Sequence, residues 1–180
     1  FALEMHKRFN SDEDIFKNIC ESVDAIFTRC SGAYSVCSVI AGKGMVVFRD
    51  PHGIRPLACG TRINEDGKTD YIFSSENTMF YPLGFKHQGD VQPGEVVFIN
   101  MKGEMYSKKL RNESFTPDIF EYIYLARPDS MINNVSVYRS RLRMGQNLAK
   151  KWLEKYPDIK PDIVIPIPFS SNTAALSFAH

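Results

Sequence analysis

The sequence predicts a mixed fold in two parts, an antiparallel α+β region followed by the opening of a parallel α/β region. Three observations predict it. A helical pattern comes first, short alternating apolar runs parted by turn residues follow it, and a long amphipathic helix then precedes a continuous apolar run. Short strands at hairpin spacing are typical of antiparallel sheets, whereas a helix followed by a fully apolar strand is typical of parallel α/β layers.

Size and charge limit the classes of function. The chain has 180 residues, of which 43% are hydrophobic, and a formal net charge of +1. Without a basic excess we expect no nucleic-acid partner, and without an apolar run of roughly 18 residues we expect no membrane span. The cysteines form no CxxC pair, so we expect buried, reduced thiols and a cytoplasmic location. They are Cys20, Cys30, Cys37 and Cys59.

The first helix is predicted over Ser11 to Cys30, where apolar residues recur at steps of three and four. Ser11 and Asp14 resemble a capping box. Asp12, Glu13 and Asp14 place negative charge in the first turn, where the helix dipole favours it.

The strands of the first part are short runs separated by turn residues. We expect the turn Asp50–Gly53 to be structural, braced by Arg49 and Asp50, rather than catalytic through His52. A short helix is predicted from Ser75 through Phe80. The predicted strands are Ala33–Ile40, Gly44–Phe48, Leu57–Gly60, Tyr71–Ser74, Phe85–Val91 and Glu95–Asn100, with a last hairpin before Met105 and Tyr106.

The second part begins after a polar linker and is predicted to contain a helix, a buried strand and a second helix. The long helix covers Val135–Tyr156, and the continuous apolar run Asp162–Ile167 is typical of a strand buried on both faces. Its expected apolar stripe is Tyr138, Leu142, Leu148, Ala149, Trp152 and Tyr156. The spacing of Arg139, Arg141 and Arg143 spreads them around the helix, which favours a solvated or interdomain role over phosphate binding.

Four segments, in order, resemble the amidophosphoribosyltransferase family, which catalyses the first committed step of purine synthesis. The first two are similar to words in other N-terminal-nucleophile amidotransferases, whereas the third is specific to this family. They are Gly32–Tyr34, Phe48–Leu57, Phe120–Ser130 with Ser136–Tyr138, and Val164–Pro168.

The resemblance implies the later part of an N-terminal-nucleophile glutaminase fold, with stacked antiparallel sheets and helices, and then the start of a parallel phosphoribosyltransferase domain. We therefore expect a glutaminase portion at 1–110, an interdomain linker at 111–134 and a transferase portion at 135–180. It also implies a reaction in which the amide nitrogen of glutamine is transferred to phosphoribosyl pyrophosphate, with Mg²⁺. The products are 5-phosphoribosylamine, pyrophosphate and glutamate.

The resemblance places one piece of a substrate site in this chain. Ser170 and Ser171 match the turn beside pyrophosphate, and Ser170 matches a hydroxyl assigned to magnesium. A helix start supplies amide groups and partial positive charge for such an anion. The family usually has Asp or Glu where this chain has Phe169. The alternative, that Ser170, Ser171 and Asn172 only cap a helix, stays open.

Two further expectations come from the segment 118–130. Some family members hold an iron–sulfur cluster with a Cys at the position of Asp118, and because carboxylate is a poor substitute for thiolate we expect no cluster. Tyr124, Arg127, Asp129 and Ser130 are the candidates for coupling the transferase site to the glutaminase site. The alternative is a well-capped turn.

The resemblance implies no catalytic residue within this chain. Phe1 is not a nucleophile, and the family's nucleophilic Cys and ribose-binding acids match no residue here, so we expect an inactive fragment. A homo-oligomeric parent and inhibition by purine nucleotides are also expected. Two other functions remain open: a non-catalytic paralogue serving as a binding or assembly module, and a piece of another glutaminase-linked synthetase.

Overall fold

The computed structural model describes residues 1–8 and 14–180, and they form two compact units, 1–117 and 118–180. Every strand pair in the described residues is antiparallel. The prediction of antiparallel sheets with helices is therefore confirmed.

Two helices open the first unit, α1 at Ala2–Arg8 and α2 at Ile15–Arg29. Asp14 caps α2, because its carboxylate accepts a hydrogen bond from the amide of Lys17 at 3.0 Å. The predicted contributions of Ser11, Asp12 and Glu13 lie outside the described residues.

The first unit contains two antiparallel sheets. One has the strand order β1-β2-β6-β7 and the other the order β4-β3-β5. The strands are β1 Ser35–Ile40, β2 Gly44–Arg49, β3 Ala58–Ile63, β4 Thr69–Ser74, β5 Lys86–Asp90, β6 Glu95–Asn100 and β7 Met105–Lys109.

Strands β2 and β6 form the middle layer because both of their faces are apolar. Val46, Phe48, Val96 and Phe98 pack with Ile19 and Val23 of α2 on one face. The alternate residues Val47, Val97 and Ile99 pack with Leu57 and Val91 on the other face, toward the second sheet. Because successive side chains of a strand point to opposite faces, this sheet lies between α2 and the second sheet, which gives a helix–sheet–sheet stack.

The turn after β2 is braced by two buried charged residues. The Arg49 guanidinium donates to the carbonyl oxygens of Arg55 at 2.6 Å, Gly53 at 2.9 Å and Val91 at 3.0 Å. The Asp50 carboxylate accepts from the amides of His52 and Ile54 at 3.0 Å and of Arg55 at 3.1 Å. Both side chains thus bond to backbone groups of the turn, and Arg49 also joins the turn to Val91 after β5.

Two predictions for this unit are wrong. Residues 75–84 form bends and turns instead of a short helix from Ser75 through Phe80. Of the four cysteines only Cys20 is buried, because Cys30 follows the end of α2 and Cys37 lies on the exposed side of β1, while Cys59 is half-buried.

The second unit is built on one long helix, α3, at Val137–Lys155. A π-helical turn at Glu121–Leu125 and a small hairpin, β8 Met131–Ile132 with β9 Val135–Ser136, precede it, and α4 at Asn172–Ala179 follows it. The buried positions of α3 are Val137, Arg141 and Gly145. The predicted apolar stripe is wrong for Tyr138 and Leu148, which are 45% and 58% exposed, whereas its other four residues are half-buried.

The predicted buried strand Asp162–Ile167 is also wrong. No strand is assigned there, and Ile163, Ile165 and Ile167 are 74%, 82% and 83% exposed. A β-strand exists only through hydrogen bonds to a neighbouring strand, and no described residue pairs with this run. Its apolar composition alone does not make it a strand.

None of the helices formed by residues 1–8 and 14–180 has both the length and the apolar character to cross a bilayer.

Candidate functional site

The polar turn at the start of the second unit is held by an ion pair. Arg127 contacts both carboxylate oxygens of Asp129, with Nε–Oδ1 and Nη2–Oδ2 distances of 3.0 Å. These hydrogen bonds from Arg127 lower the pKa of the Asp129 carboxyl. Both side chains are more than half exposed, at 63% and 57%, so the pair contributes little stability and defines the shape of the turn.

Ser130 and Tyr124 differ in solvent exposure, since Ser130 is buried and Tyr124 is exposed. Ser130 is 1% exposed, and its carbonyl oxygen accepts the amide of Val137 at 3.1 Å, which joins the turn to the first residue of α3. Tyr124 is 53% exposed and packs edge-on against Phe120. Of the four predicted coupling residues, Ser130 therefore anchors the turn, whereas Tyr124 exposes its ring to solvent.

Arg141 is the structural centre of this segment, and the expectation of a solvated or interdomain role is wrong for it. Its side chain is 4% exposed. It donates from Nε to the carbonyl oxygen of Tyr122 at 2.9 Å and from Nη2 to that of Ala126 at 2.7 Å. Because these carbonyls lie at either end of the π-helical turn, Arg141 fixes that turn on α3. Its partners lie 19 and 15 residues away along the chain, so no local sequence pattern signals this role.

The small hairpin completes the support. Asn133 and Asn134 have φ values of 50° and 60°, the left-handed conformation that a two-residue type I′ turn requires. The Tyr122 hydroxyl donates to the carbonyl oxygen of Ile132 at 3.2 Å and accepts from the Asn133 side chain at 3.2 Å. The candidate coupling segment is therefore anchored to α3 and to the small hairpin through backbone carbonyl groups.

The serines after residue 169 lie where α4 begins. Ser171 directly precedes α4, but its hydroxyl donates back to the carbonyl oxygen of Ile167 and makes no hydrogen bond that caps the helix. The alternative that Ser171 caps α4 with its side chain is therefore wrong, and the first turn of α4 has no side-chain cap from it. Ser170 is partly exposed beside it.

A tight helix contact positions α4. A Cβ atom built on Gly145 of α3 would lie 2.1 Å from the carbonyl oxygen of Ala174. Only a glycine allows this approach of the two backbones. Trp152 of α3 also packs edge-on against Phe178 of α4.

The residues beside Ser170 do not fit a metal held by the protein alone. Within 1–8 and 14–180 no group of three or more His, Cys, Asp or Glu side chains could hold a metal ion. Magnesium favours carboxylate and phosphate oxygens, and Phe169 offers none. The carboxylate of Asp118 accepts a hydrogen bond from the backbone amide of Phe120, two residues further on, at 2.9 Å.

Comparison with known proteins supports the predicted resemblance. The chain is 43% identical to an amidophosphoribosyltransferase of Pasteurella multocida over 99% of its own length, 40% identical to that of Escherichia coli over 96%, and 39% identical to that of Saccharomyces cerevisiae over 99%. It spans only 35–36% of the length of these three relatives. No family model matches the chain.

Solved structures show the same likeness. The chain matches a glutamine phosphoribosylpyrophosphate amidotransferase of B. subtilis, complexed with ADP and GMP, with a TM-score of 0.77 and 30% identity. It matches an allosteric regulatory enzyme of purine biosynthesis with a TM-score of 0.78 and 29% identity. In both cases 99% of this chain aligns with 35% of the other.

Proposed function

We propose that the chain is the central section of an amidophosphoribosyltransferase, the enzyme that transfers the amide nitrogen of glutamine to phosphoribosyl pyrophosphate. One observation carries the proposal: identities of about 40% to proteins of that name extend over nearly the whole chain, in both units. The first unit would be the later part of the glutaminase and the second the start of the phosphoribosyltransferase.

We propose that neither reaction centre is complete in these residues and that the chain alone has neither activity. A glutaminase of this class needs an activated nucleophile. Cys20 is buried and Cys59 half-buried, whereas Cys30 and Cys37 are exposed. Burial raises the pKa of the Cys20 and Cys37 thiols, and raises that of Cys59 to about 11. Thiols with raised pKa values are poor nucleophiles at neutral pH.

The coupling role is assigned to the turn that contains Tyr124, Arg127, Asp129 and Ser130. Its attachment to α3 through Arg141 supports this role, because coupling between sites is carried by packed side chains and hydrogen bonds that join neighbouring elements. The exposed Tyr124 ring is the group free to contact a substrate or another part of the parent protein.

Ser170 and Ser171 are proposed to bind pyrophosphate at the start of α4. The absence of a side-chain cap from Ser171 supports this, since the positive end of the helix is then available to an anion. Magnesium would take most of its ligands from pyrophosphate oxygens and water, with at most the Ser170 hydroxyl from this chain. Glutamine and phosphoribosyl pyrophosphate are the proposed substrates, and purine nucleotides the proposed inhibitors.

The decisive experiment compares the full-length parent protein with the 180-residue chain. Supplied with glutamine, phosphoribosyl pyrophosphate and Mg²⁺, the parent should release glutamate and pyrophosphate in equal amounts, because each transfer forms one of each. The isolated chain should release neither. A parent that forms no pyrophosphate, or an isolated chain that forms glutamate, would overturn the proposal.

A further inference from the structure

We propose that a cavity at the start of α3 binds a phosphate monoester through Arg139 and Arg143. The cavity has a volume of about 490 Å³, within the range of roughly 300–1,000 Å³ typical of small-molecule sites. It lies entirely within the second unit. Its lining residues are Met131, Asn134, Val135, Ser136, Arg139, Ser140 and Arg143.

The two arginines share one side of α3. They are four residues apart, a spacing that places side chains as neighbours on a helix surface. Arg141 lies between them in sequence but points to the buried side, where it holds the π-helical turn. The sequence-based expectation that all three arginines are spread around the helix is therefore wrong for Arg139 and Arg143, which line the same cavity.

The charge of this pair is uncompensated. Both residues are exposed, and their guanidinium groups make no hydrogen bond or ion pair with any residue in the described part of the chain. No acidic residue lies in the first turn of α3. Like charges four residues apart repel, and the helix dipole makes cations unfavourable near an N-terminus. A bound anion would relieve both effects.

Recognition comes mainly from the guanidinium groups, because the nearby backbone amides and the Ser140 hydroxyl are already hydrogen-bonded within the chain. The amides of Val137 and Tyr138 donate to the carbonyl oxygens of Ser130 and Pro128 at 3.1 and 3.0 Å. The amide of Arg139 donates to the Ser136 hydroxyl oxygen at 3.3 Å. The Ser140 hydroxyl donates to the carbonyl oxygen of Ser136 at 2.9 Å.

These constraints select the class of ligand. A guanidinium presents planar pairs of N–H donors that match phosphate oxygens, so two of them fit a dianionic phosphate group. Met131 and Val135, which are 36% and 45% exposed, add an apolar wall to the same cavity. The ligand is therefore a phosphate monoester whose organic group packs against that wall, rather than free phosphate.

The test measures binding of phenyl phosphate and of inorganic phosphate to the intact chain by isothermal titration calorimetry. Phenyl phosphate should bind saturably and more tightly than inorganic phosphate. The double substitution R139Q/R143Q should raise its dissociation constant at least about tenfold, since it removes the charge-assisted hydrogen bonds to the phosphate. R139K/R143K keeps the charge but loses the planar donors. Its dissociation constant for phenyl phosphate should lie between that of the unsubstituted chain and that of R139Q/R143Q.

The matched control is K150Q/K151Q, which removes two exposed positive charges from the same helix, beyond the cavity. It should leave the dissociation constant unchanged. Equal weakening by both double substitutions, or no saturable binding to the unsubstituted chain, would overturn the proposal. Circular dichroism of each variant checks that α3 is retained. The proposal stands independently of the proposed transferase function, because it needs neither glutamine nor phosphoribosyl pyrophosphate.

Discussion

At the scale of single residues, the neighbouring arginines of α3 show how one residue type takes two roles. Arg141 is buried and donates to two carbonyl oxygens, whereas Arg139 and Arg143 are exposed beside a cavity. A buried charge is tolerated only when its donors are satisfied. Arg141 is consequently a structural residue, and the other two are available to a ligand.

Replacing Arg141 tests its structural role. R141M keeps much of the apolar stem but leaves the carbonyl oxygens of Tyr122 and Ala126 without this donor. We expect the free energy of unfolding of the second unit to fall by about 2–4 kcal/mol, measured by urea denaturation. R143M, at an exposed position of the same helix, should change it by no more than about 0.5 kcal/mol. Equal effects of the two substitutions would contradict the role assigned to Arg141.

A second residue, Glu4, predicts a dependence of stability on pH. Its carboxylate contacts Lys7, Arg8 and Arg29 at 2.9, 2.8 and 2.6 Å, which ties α1 to α2. Hydrogen bonds from Arg8 and then Lys7 lower its pKa from 4.5 to about 2. Because the unfolded chain binds this proton more readily, the stability from Glu4 is present above about pH 4.5 and is lost as the pH falls toward 2.

E4Q should therefore be less stable than the unsubstituted chain near neutral pH. It should also lose less stability as the pH falls from about 4.5 toward 2. The measurement is the urea midpoint at a series of pH values, with E154Q as the control because it removes an exposed carboxylate from the other unit. An unchanged slope in E4Q would show that the network does not shift the titration of Glu4 in solution.

At the scale of elements, the contact between α3 and α4 depends on a glycine. Gly145 lets the Ala174 carbonyl approach so closely that a Cβ atom would lie 2.1 Å from it. Glycine is otherwise unfavourable within a helix, by roughly 1 kcal/mol relative to alanine. Its presence in the middle of α3 is explained by the packing of α4.

Substitution G145A sets these two effects against each other. The clash involves backbone atoms that cannot rotate away, so we expect overpacking to exceed the gain in helix propensity and the second unit to lose about 1–3 kcal/mol. Thermal unfolding followed by circular dichroism measures the change. The control Q146A lies at the neighbouring exposed position and should not destabilise the helix. An increase in melting temperature for G145A would show that α4 does not pack there.

At the scale of the whole molecule, the two units carry the proposed halves of one reaction, and release of ammonia without an acceptor would waste glutamine. The exposed Tyr124 is the residue proposed to couple them. In the full-length parent, Y124A should reduce the stimulation of glutaminase activity by phosphoribosyl pyrophosphate severalfold while leaving the basal activity intact.

The measurement for Tyr124 is the rate of glutamate release with and without phosphoribosyl pyrophosphate. Y138A is the matched control, since Tyr138 is a similarly exposed tyrosine of the same unit, at 45% against 53%. If stimulation survives unchanged in Y124A, Tyr124 does not couple the two sites.

The sequence by itself determined the antiparallel strands, the long helix and the family resemblance. β2 and β6 are short, continuous apolar runs bounded by turn residues, a local pattern of buried strands that can be read without contacts. Segments such as Phe120–Ser130 are words that relatives share, so they identify the kind of protein before any fold is known.

Only the tertiary structure decided which side chains are buried and which meet. The run Asp162–Ile167 looked like a buried strand but has no pairing neighbour in the described residues, and the buried face of α3 proved to be Val137, Arg141 and Gly145. Burial depends on what packs against an element from distant parts of the chain. A charged residue and a glycine on one helix face therefore carry no local signal of the contacts that require them.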